Sequence, residues 1–461
     1  MSKPQLIRQG YRFALAPTAE QEVFLCSCAG ASRFWFNQGL ALVRDRMDQR
    51  RAGHDVRVPW SYKRLCSELA ALKDDLCPWR GDVVVGSMQA GLEQLGRALQ
   101  NHSEGKARGR SVGFPRFRAK GRCHESVIFQ RPRLIDSRHV MLDRRLGPLR
   151  TKEPLRKLMR LLARDPNARV LRSTVQRTNA GWVISFAVER SPKTRRARRT
   201  NMAVGVDVGL ARLATLSTGL IVENSRPLEA VLVKLRRLQR QLDRKRRAAN
   251  PGNYRTDGRV KPGAKAWTRS VRMAGTEQRI RRLHERAASL RREQAHQLTT
   301  MLTREFGVIG VETLVVRNLL GNRRLARQIS DAAWGTVLAQ LAYKSSWSDG
   351  SVLVAADRFF PSSKTCSACG AVKAKLSLKE RVFTCDQPAC GHVQDRDLNA
   401  ALNLAHAAAR HAQAEGLQCS VAATEAETLN ARGGQVSLVA CGQHGSAKRE
   451  DLRGHLSAAT R

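Results

Sequence analysis

Four of the eleven cysteines in this chain lie in one short stretch that a single metal ion could hold together. Two residues separate the first pair, fifteen residues follow, four residues separate the second pair, and a glycine directly follows each pair. Four thiolates from two such turns form a closed tetrahedral zinc site, in which no position is open for substrate. The wider second pair is a modest departure from the common spacing. The sequence therefore predicts one structural Zn²⁺ bound by Cys366, Cys369, Cys385 and Cys390, with the neighbouring His392 outside the ligand set.

The charge of the chain indicates its partner. Lys plus Arg number 82 against 39 Asp plus Glu, a formal net charge of +43. A hydrophobic content of 42% excludes a disordered polycation, and 461 residues are enough for two or three folded domains. So large a charge opposes compaction unless a polyanion neutralises it, and nucleic acid is the usual polyanion. No basic amphipathic segment stands apart, so we expect no membrane partner.

The sequence shows neither the pattern of a signal peptide nor that of a membrane span, and we predict the compartment from this. The start, MSKPQLIRQGYRF, has no apolar core of signal-peptide length. No apolar run approaches the roughly 18 residues that a membrane span needs. We therefore expect a cytoplasmic protein, in which clustered thiols bind metal instead of forming disulfides.

The first part of the chain reads as a strand followed by helices. Tyr11 and Phe13 alternate with polar residues, which predicts a strand. Thr18 and Gln21 match a capping box, and helical spacing follows. Residues 18–112 are therefore predicted to be a helical unit inserted after the first strand.

From residue 113 the pattern becomes β-rich. Short strand-like runs follow one another, and the last two flank a hairpin turn at residues 178–181. Together with residues 1–17, residues 113–200 are predicted to form a small β-barrel.

Two basic segments of this region are candidates for phosphate contacts. GFPRFRAKGR interleaves phenylalanines with basic residues, and RSPKTRRARRT has no apolar residue except alanine. The second segment fits both a solvated tether and a phosphate contact, and the sequence leaves these alternatives open. The candidate side chains are Arg116, Arg118, Lys120, Arg195, Arg196, Arg198 and Arg199.

Residues 201–405 are predicted to form a further unit that starts with two adjacent strands. A basic helix with one leucine-rich stripe begins near Leu228, and a second long helix spans about 276–306. We expect these two helices to form an antiparallel hairpin. Residues 406–461 are rich in Ala, Gly and Ser and are predicted to be a loosely ordered tail.

Three acidic residues occur in apolar surroundings. Asp207 lies in VGVDVG, Glu312 in GVIGVETL and Asp397 in DRDLNAALNL. An ionised carboxylate in a buried strand must be paired, hydrogen-bonded or metal-bound. Alone, each has an ordinary explanation: a salt bridge at a strand end, or for Asp397 a helix N-cap. Together, three convergent carboxylates can hold two Mg²⁺ ions and hydrolyse a phosphodiester.

The sequences of these motifs, and their order along the chain, resemble those of one family. GVDVGLARLATLSTG, GVETLVVRNL, AYKSSW, FFPSSKTCSACG and DRDLNAALNL are similar to motifs of the TnpB/OrfB transposon-encoded RNA-guided nucleases and the related compact type V CRISPR effectors. The resemblance is densest over residues 204–404. It implies a bacterial or archaeal, nucleoid-associated protein with catalytic Asp207, Glu312 and Asp397 binding two Mg²⁺. Asp395 is then a turn or capping residue.

The resemblance also implies a multidomain α/β architecture. Residues 201–361 and 393–405 would form a RuvC-type, RNase H-like nuclease domain, interrupted by helices and by a zinc ribbon at 362–392. Residues 1–17 and 113–200 would form the wedge β-barrel. The helical recognition domain at 18–112 would read a guide–target duplex.

The function implied is RNA-guided DNA cleavage. A guide RNA would pair with target DNA beside a short flanking motif, and a displaced strand would enter the acidic site. The alternatives are an RNA-guided binder with a silent nuclease, a transposase and a zinc-ribbon regulator. Trp334 and Tyr343 are expected to be core residues instead of base platforms.

Overall fold

The computed structural model describes residues 6–121, 125–192, 197–264, 266–348, 350–377 and 379–422. The chain divides into two compact units, Met1–Pro192 and Lys193–Arg461. Among the described helices, none combines the length and apolar character that a membrane crossing requires.

The first unit contains two antiparallel sheets. Its strands are β1 (Ile7–Ala14), β2 (Ser126–Phe129), β3 (Arg133–Leu134), β4 (His139–Met141), β5 (Pro148–Arg150), β6 (Arg169–Thr178) and β7 (Gly181–Arg190). One sheet has the order β1-β7-β6-β2 and the other the order β3-β4-β5. Thr178 faces Gly181 across the β6–β7 turn, which confirms the predicted hairpin. Because the described pairings leave β1 and β2 at the sheet edges, a closed barrel stays a prediction.

Helices fill the segment between β1 and β2, as the spacing predicted. They are α1 (Ala19–Arg51), α2 (Tyr62–Ala71), α3 (Lys73–Leu76) and α4 (Gly86–Ala107), and α5 (Arg156–Arg164) follows β5. The predicted capping box is present, because Thr18 accepts from the Gln21 N–H and Gln21 accepts from the Thr18 N–H. The core of these helices includes Trp35, Phe36 and Leu95.

The second unit is built on one mixed sheet. Its strands are β8 (Arg199–Asp207), β9 (Arg212–Leu216), β10 (Ile221–Glu223), β11 (Phe306–Val311), β12 (Val352–Ala355) and β15 (Ser420–Val421). The order is β10-β9-β8-β11-β12, with β15 added to the first half of β8. Strands β8, β11 and β12 are parallel to one another. Strand β9 is antiparallel to β8, and β10 is antiparallel to β9.

The described helices of this unit are α6 (Pro227–Ala249), α7 (Val271–Glu305), α8 (Val316–Leu319), α9 (Ala326–Ala332), α10 (Trp334–Trp347) and α11 (Arg396–Ala414). The end of α6 meets the start of α7, where Lys245 donates to Thr276. The start of α6 meets the second half of α7, because Ser225 donates to Gln294. The predicted antiparallel hairpin is therefore confirmed. A small pair of strands, β13 (Val382–Thr384) and β14 (Val393–Asp395), lies in the cysteine-rich segment.

Two predicted segments differ from the structure. Helix α11 continues to Ala414, and Ala408 and Ala412 on it are buried. Strand β15 follows, and Ser217 Oγ donates to the carbonyl of buried Ala422. The prediction of a loose tail from residue 406 was therefore wrong for 406–422, while 423–461 lie outside the described residues. The basic segment RSPKTRRARRT, which fits a solvated tether, also extends into the sheet, because β8 already begins at Arg199.

Candidate acidic site and cysteine cluster

A pair of glycines lets helix α11 lie almost directly on the sheet. Gly205 in β8 faces Gly310 in β11 in the strand register. A Cβ atom on Gly205 would lie 1.8 Å from the carbonyl oxygen of Ala401, and one on Gly310 would lie 2.4 Å from that of Leu404. No side chain fits into such gaps, so the close packing of α11 requires glycine at both positions.

The same register brings the three predicted acids to one place. Asp207 follows Gly205 by two residues and Glu312 follows Gly310 by two, so both point to the face that α11 covers. Asp397 precedes Ala401 by four residues, about one helical turn. All three are partly buried. The site is thus formed at the shared carboxyl edge of two parallel strands and the first turn of one helix.

The electrostatics of Asp207 show how close the three carboxylates are. Burial, together with the negative charges of Glu312 and Asp397, raises the pKa of Asp207 to about 8, and burial contributes most.

The structure separates the roles of Asp395 and Asp397. The Asp395 carboxylate accepts hydrogen bonds from the backbone N–H groups of Asp397, at 3.0 Å, and Leu398, at 3.1 Å. It also forms an ion pair with Arg212 at 3.1 Å. The interpretation of Asp397 as the helix cap is therefore wrong, since Asp395 caps α11 and leaves the Asp397 carboxylate out of that role.

Glu312 is held by a residue that the sequence reasoning missed. Ser362 Oγ donates a 2.5 Å hydrogen bond to Glu312 Oε1, and Ser362 is only 3% exposed. This bond fixes one carboxylate oxygen of Glu312. In the sequence, the small polar residues of the PSSK segment were the available signal for this contact, and they do not indicate which distant residue they touch.

Two buried asparagines of α11 connect the acidic site to the cysteine segment. Asn403 Nδ2 donates to the carbonyl oxygens of Ser362 and Thr365, at 2.8 and 2.6 Å. Asn399 donates to Thr365 and accepts from the Ser367 N–H, at 2.7 and 2.9 Å. These bonds attach the chain entering the first cysteine pair to the helix that carries Asp397. Their spacing of four residues on an apolar helix face was the available signal.

The four predicted cysteines form one cluster. Their Sγ atoms lie within 4.8 Å of one another, with 3.8 Å between Cys366 and Cys390 and 3.6 Å between Cys369 and Cys385. Tetrahedral zinc with Zn–S bonds of about 2.3 Å would place sulfur atoms about 3.8 Å apart, so the cluster fits that ion. The backbone N–H of Ala371 contributes most to lowering the pKa of Cys369 to about 7.

The neighbouring His392 and the two aromatic residues Trp334 and Tyr343 are engaged in contacts within the protein. His392 lies outside the cluster, as predicted, with its Nε2 3.2 Å from both Ser367 Oγ and Gln394 Oε1. Trp334 is 7% exposed and donates to the Gly209 carbonyl, which confirms it as a core residue. The Tyr343 ring packs 4.6 Å from that of Trp347.

The basic candidates fall into three groups. Arg118 is engaged with the helices, because its guanidinium lies 3.6 Å from the Phe36 ring centroid and its N–H donates to Asn37. Arg198 pairs with Glu305 at 3.3 Å. Arg116 and Lys120 are exposed, and Arg199 is partly exposed. Arg195 and Arg196 lie outside the described residues.

Comparison with known proteins identifies the family. The OrfB family, described as "Probable transposase", matches residues 185–323. A Streptomyces pristinaespiralis protein named "Putative RNA-guided DNA endonuclease" is 31% identical over 403 residues, covering 87% of this chain and 89% of the relative. The chain belongs to the TnpB/OrfB family.

Other TnpB/OrfB relatives match over a similar length. A Mycobacterium tuberculosis protein is 35% identical over 423 residues, covering 86% of each chain. An Escherichia coli protein is 29% identical over 412 residues, covering 86% of this chain and 91% of the relative. Both names contain the words "RNA-guided DNA endonuclease" preceded by "Putative". A solved Cas12f1–sgRNA–target DNA complex aligns with a TM-score of 0.42 at 13% identity, covering 87% of this chain and 99% of that chain.

Two further family descriptions match parts of this TnpB/OrfB chain. A "Cas12f1-like, TNB domain" matches residues 334–404, which include all four clustered cysteines and Asp397. A "Helix-turn-helix domain" matches residues 1–52. The described residues there form β1 and the single long helix α1.

Proposed function

We propose that this TnpB/OrfB chain is an RNA-guided DNA endonuclease that cleaves phosphodiester bonds at Asp207, Glu312 and Asp397. The observation that carries the proposal is the convergence of these three carboxylates under α11, with the pKa of Asp207 raised by burial and by the other two charges. We further propose that the mixed sheet and α11 are a RuvC-type, RNase H-like domain. The predicted domain boundaries and the wedge barrel remain part of this proposal.

The three carboxylates suit two Mg²⁺ ions. Magnesium prefers carboxylate oxygens, and its charge would offset the repulsion that Asp207 experiences from Glu312 and Asp397. When bound, the ions would stabilise the attacking and leaving oxygens of the phosphodiester. The chain itself orients the ligands: Ser362 fixes Glu312, and the cap at Asp395 fixes the first turn of α11.

The cysteine cluster is proposed to hold one structural Zn²⁺. Four thiolates complete a tetrahedral set, so the ion would have no open position for substrate. Through Asn399 and Asn403, the zinc segment would hold the Ser362 loop against α11.

Guide RNA and target DNA are the proposed partners. The names of the relatives support both, and the net charge of +43 supports a large polyanionic ligand. The guide would pair with target DNA into a heteroduplex, and the protein would contact the backbone and a short flanking motif.

The test is cleavage by purified protein carrying its co-expressed RNA. Asp207→Ala should abolish cleavage of a matched target in Mg²⁺ while leaving target binding intact. Asp257→Ala, a loop carboxylate that is 48% exposed, is the matched control and should cleave normally. Cleavage by Asp207→Ala would refute the site.

The same preparation separates the alternatives. Cleavage unchanged after digestion of the bound RNA would refute the guide. Stable target binding without cleavage by the unaltered protein would favour an RNA-guided binder with a silent nuclease. Joining of DNA ends without RNA would favour a transposase.

A further inference from the structure

Phe359 presents its ring to solvent in the loop that leads to Ser362, the residue that donates to Glu312. It is 83% exposed, whereas Trp334 is 7% exposed and part of the core. An aromatic ring in water contributes nothing to the stability of the fold. A single exposed apolar residue is ordinary in itself, so the surroundings of Phe359 decide its meaning.

The loop that carries Phe359 is fixed at both ends to the strand that leads to Glu312. On one side, the Ala356 N–H donates to the Val311 carbonyl at 2.8 Å, and Thr313 Oγ1 donates to the Ala356 carbonyl at 2.6 Å. On the other side, Ser362 donates to Glu312. The ring is therefore held by a braced loop.

The turn itself is also fixed. Asp357 accepts a hydrogen bond from the Phe359 N–H at 2.8 Å through its side chain, and from the Phe360 N–H at 3.1 Å through its carbonyl. This arrangement is an Asx-type turn, which sets the direction of the exposed residue without a hydrophobic contact.

The backbone of Phe359 lies close to Ser362, which contacts the acidic site. Phe359 precedes Ser362 by three residues, so their Cα atoms are at most about 11 Å apart. That reach equals roughly three steps of a stacked strand at about 3.4 Å per nucleotide. The guanidinium of Arg358 lies 5.4 Å from the ring centroid, which adds a positive charge at the same place.

We propose that Phe359 and Arg358 form a stacking site for a nucleobase of the DNA strand being cut. The inference rests on the proposed endonuclease function and deepens it by adding a substrate contact outside the carboxylates. The ring stacks on a base close to the scissile phosphate, and Arg358 neutralises the adjoining backbone. Stacking tolerates any base, which suits an enzyme whose target sequence is set by its guide.

The experiment combines protein variants with abasic DNA. Guide-loaded protein and Phe359→Ala are compared in single-turnover cleavage of targets in which one abasic residue is moved through the strand around the cut. Phe359→Ala should lower the rate on intact DNA about 5- to 150-fold. In the unaltered protein, an abasic residue at one or two positions near the cut should cause a similar loss, and Phe359→Ala should add nothing there.

Matched variants distinguish stacking from a structural role. Phe359→Trp should keep the rate, and Phe359→Leu should lose most of it although it remains apolar. Thermal stability should not change in any of them, because the ring is exposed. Val271→Ala, at a residue that is 89% exposed on α7, is the control and should cleave normally.

The outcomes keep this inference apart from the proposed function. If the unaltered protein cleaves, Asp207→Ala does not, and Phe359→Ala matches the unaltered protein, the stacking site alone is refuted. Equal losses from Phe359→Ala on intact DNA and on every abasic DNA also refute it. Failure of the unaltered protein to cleave refutes the endonuclease function itself.

Discussion

Replacing Gly205 with alanine tests how α11 brings the acids together. The new Cβ would lie 1.8 Å from the Ala401 carbonyl oxygen and 2.5 Å from the Ala405 nitrogen, both backbone atoms. A comfortable C···O contact is about 3.3–3.6 Å, so α11 must move away by roughly 1.5 Å. Overpacking of this kind costs about 3 kcal/mol, and the stiffer unfolded chain offsets roughly 0.7 kcal/mol. We expect a net loss of about 2 kcal/mol.

The expected readouts are the melting temperature and the cleavage rate. A loss of about 2 kcal/mol should lower the Tm by roughly 4–8 °C for a unit of this size. The displacement should reduce cleavage about 100-fold or more, because it separates Asp397 from Asp207. The control is Gly275→Ala on α7, where an added Cβ meets nothing within 4 Å. A Gly205→Ala protein with unaltered Tm and cleavage would refute the argument that glycine sets the distance between helix and sheet.

Three further perturbations follow from the described contacts. Ser362→Ala should slow cleavage about 10-fold or more, because Glu312 loses a charge-assisted hydrogen bond. Target binding should stay unchanged, and Ser362→Thr should restore the rate. An unchanged cleavage rate in Ser362→Ala would contradict the orienting role. Cys366→Ser should lower bound zinc and folding yield, and full zinc content by elemental analysis would refute the structural site. Burial lowers the pKa of Lys344 in the folded protein to about 8, whereas its ordinary value in the unfolded chain is 10.5. Between these two pH values the unfolded chain binds more protons than the folded protein, so the unfolding free energy should rise from pH 8 to 10.5. Urea unfolding of Lys344→Met should lack that rise, and parallel pH profiles would count against it.

The acids and the cysteines could be predicted because local chemistry is enough to identify them. An ionised group is costly in an apolar strand, which makes Asp207 and Glu312 candidates, and their occurrence together with Asp397 supports the prediction. Thiolate spacing reports a metal site because both pairs are close in sequence. Helical spacing also identified α6 and α7, whose apolar stripes each extend over several turns.

The remaining features depend on contacts between distant residues. A glycine within a strand indicates that something approaches closely, but not that α11 approaches Gly205 and Gly310 together. Asp395 and Asp397 both lie at the start of the same helix, and only the N–H directions show which one caps it. Strand β15 was missed because two residues are too short to show a period.

The position of α11 in the chain has a consequence for biosynthesis. The proposed site combines Asp207 on β8 with Asp397 on α11, and β15, which pairs with β8, follows both in the chain. At about 5–20 residues per second, a ribosome needs roughly 10–40 s to make the chain between the two acids. A nascent chain therefore exposes its first carboxylate long before it has a complete site. Under the proposed function, cleavage requires α11 to have left the ribosome, and translation products that end before α11 are expected not to cleave.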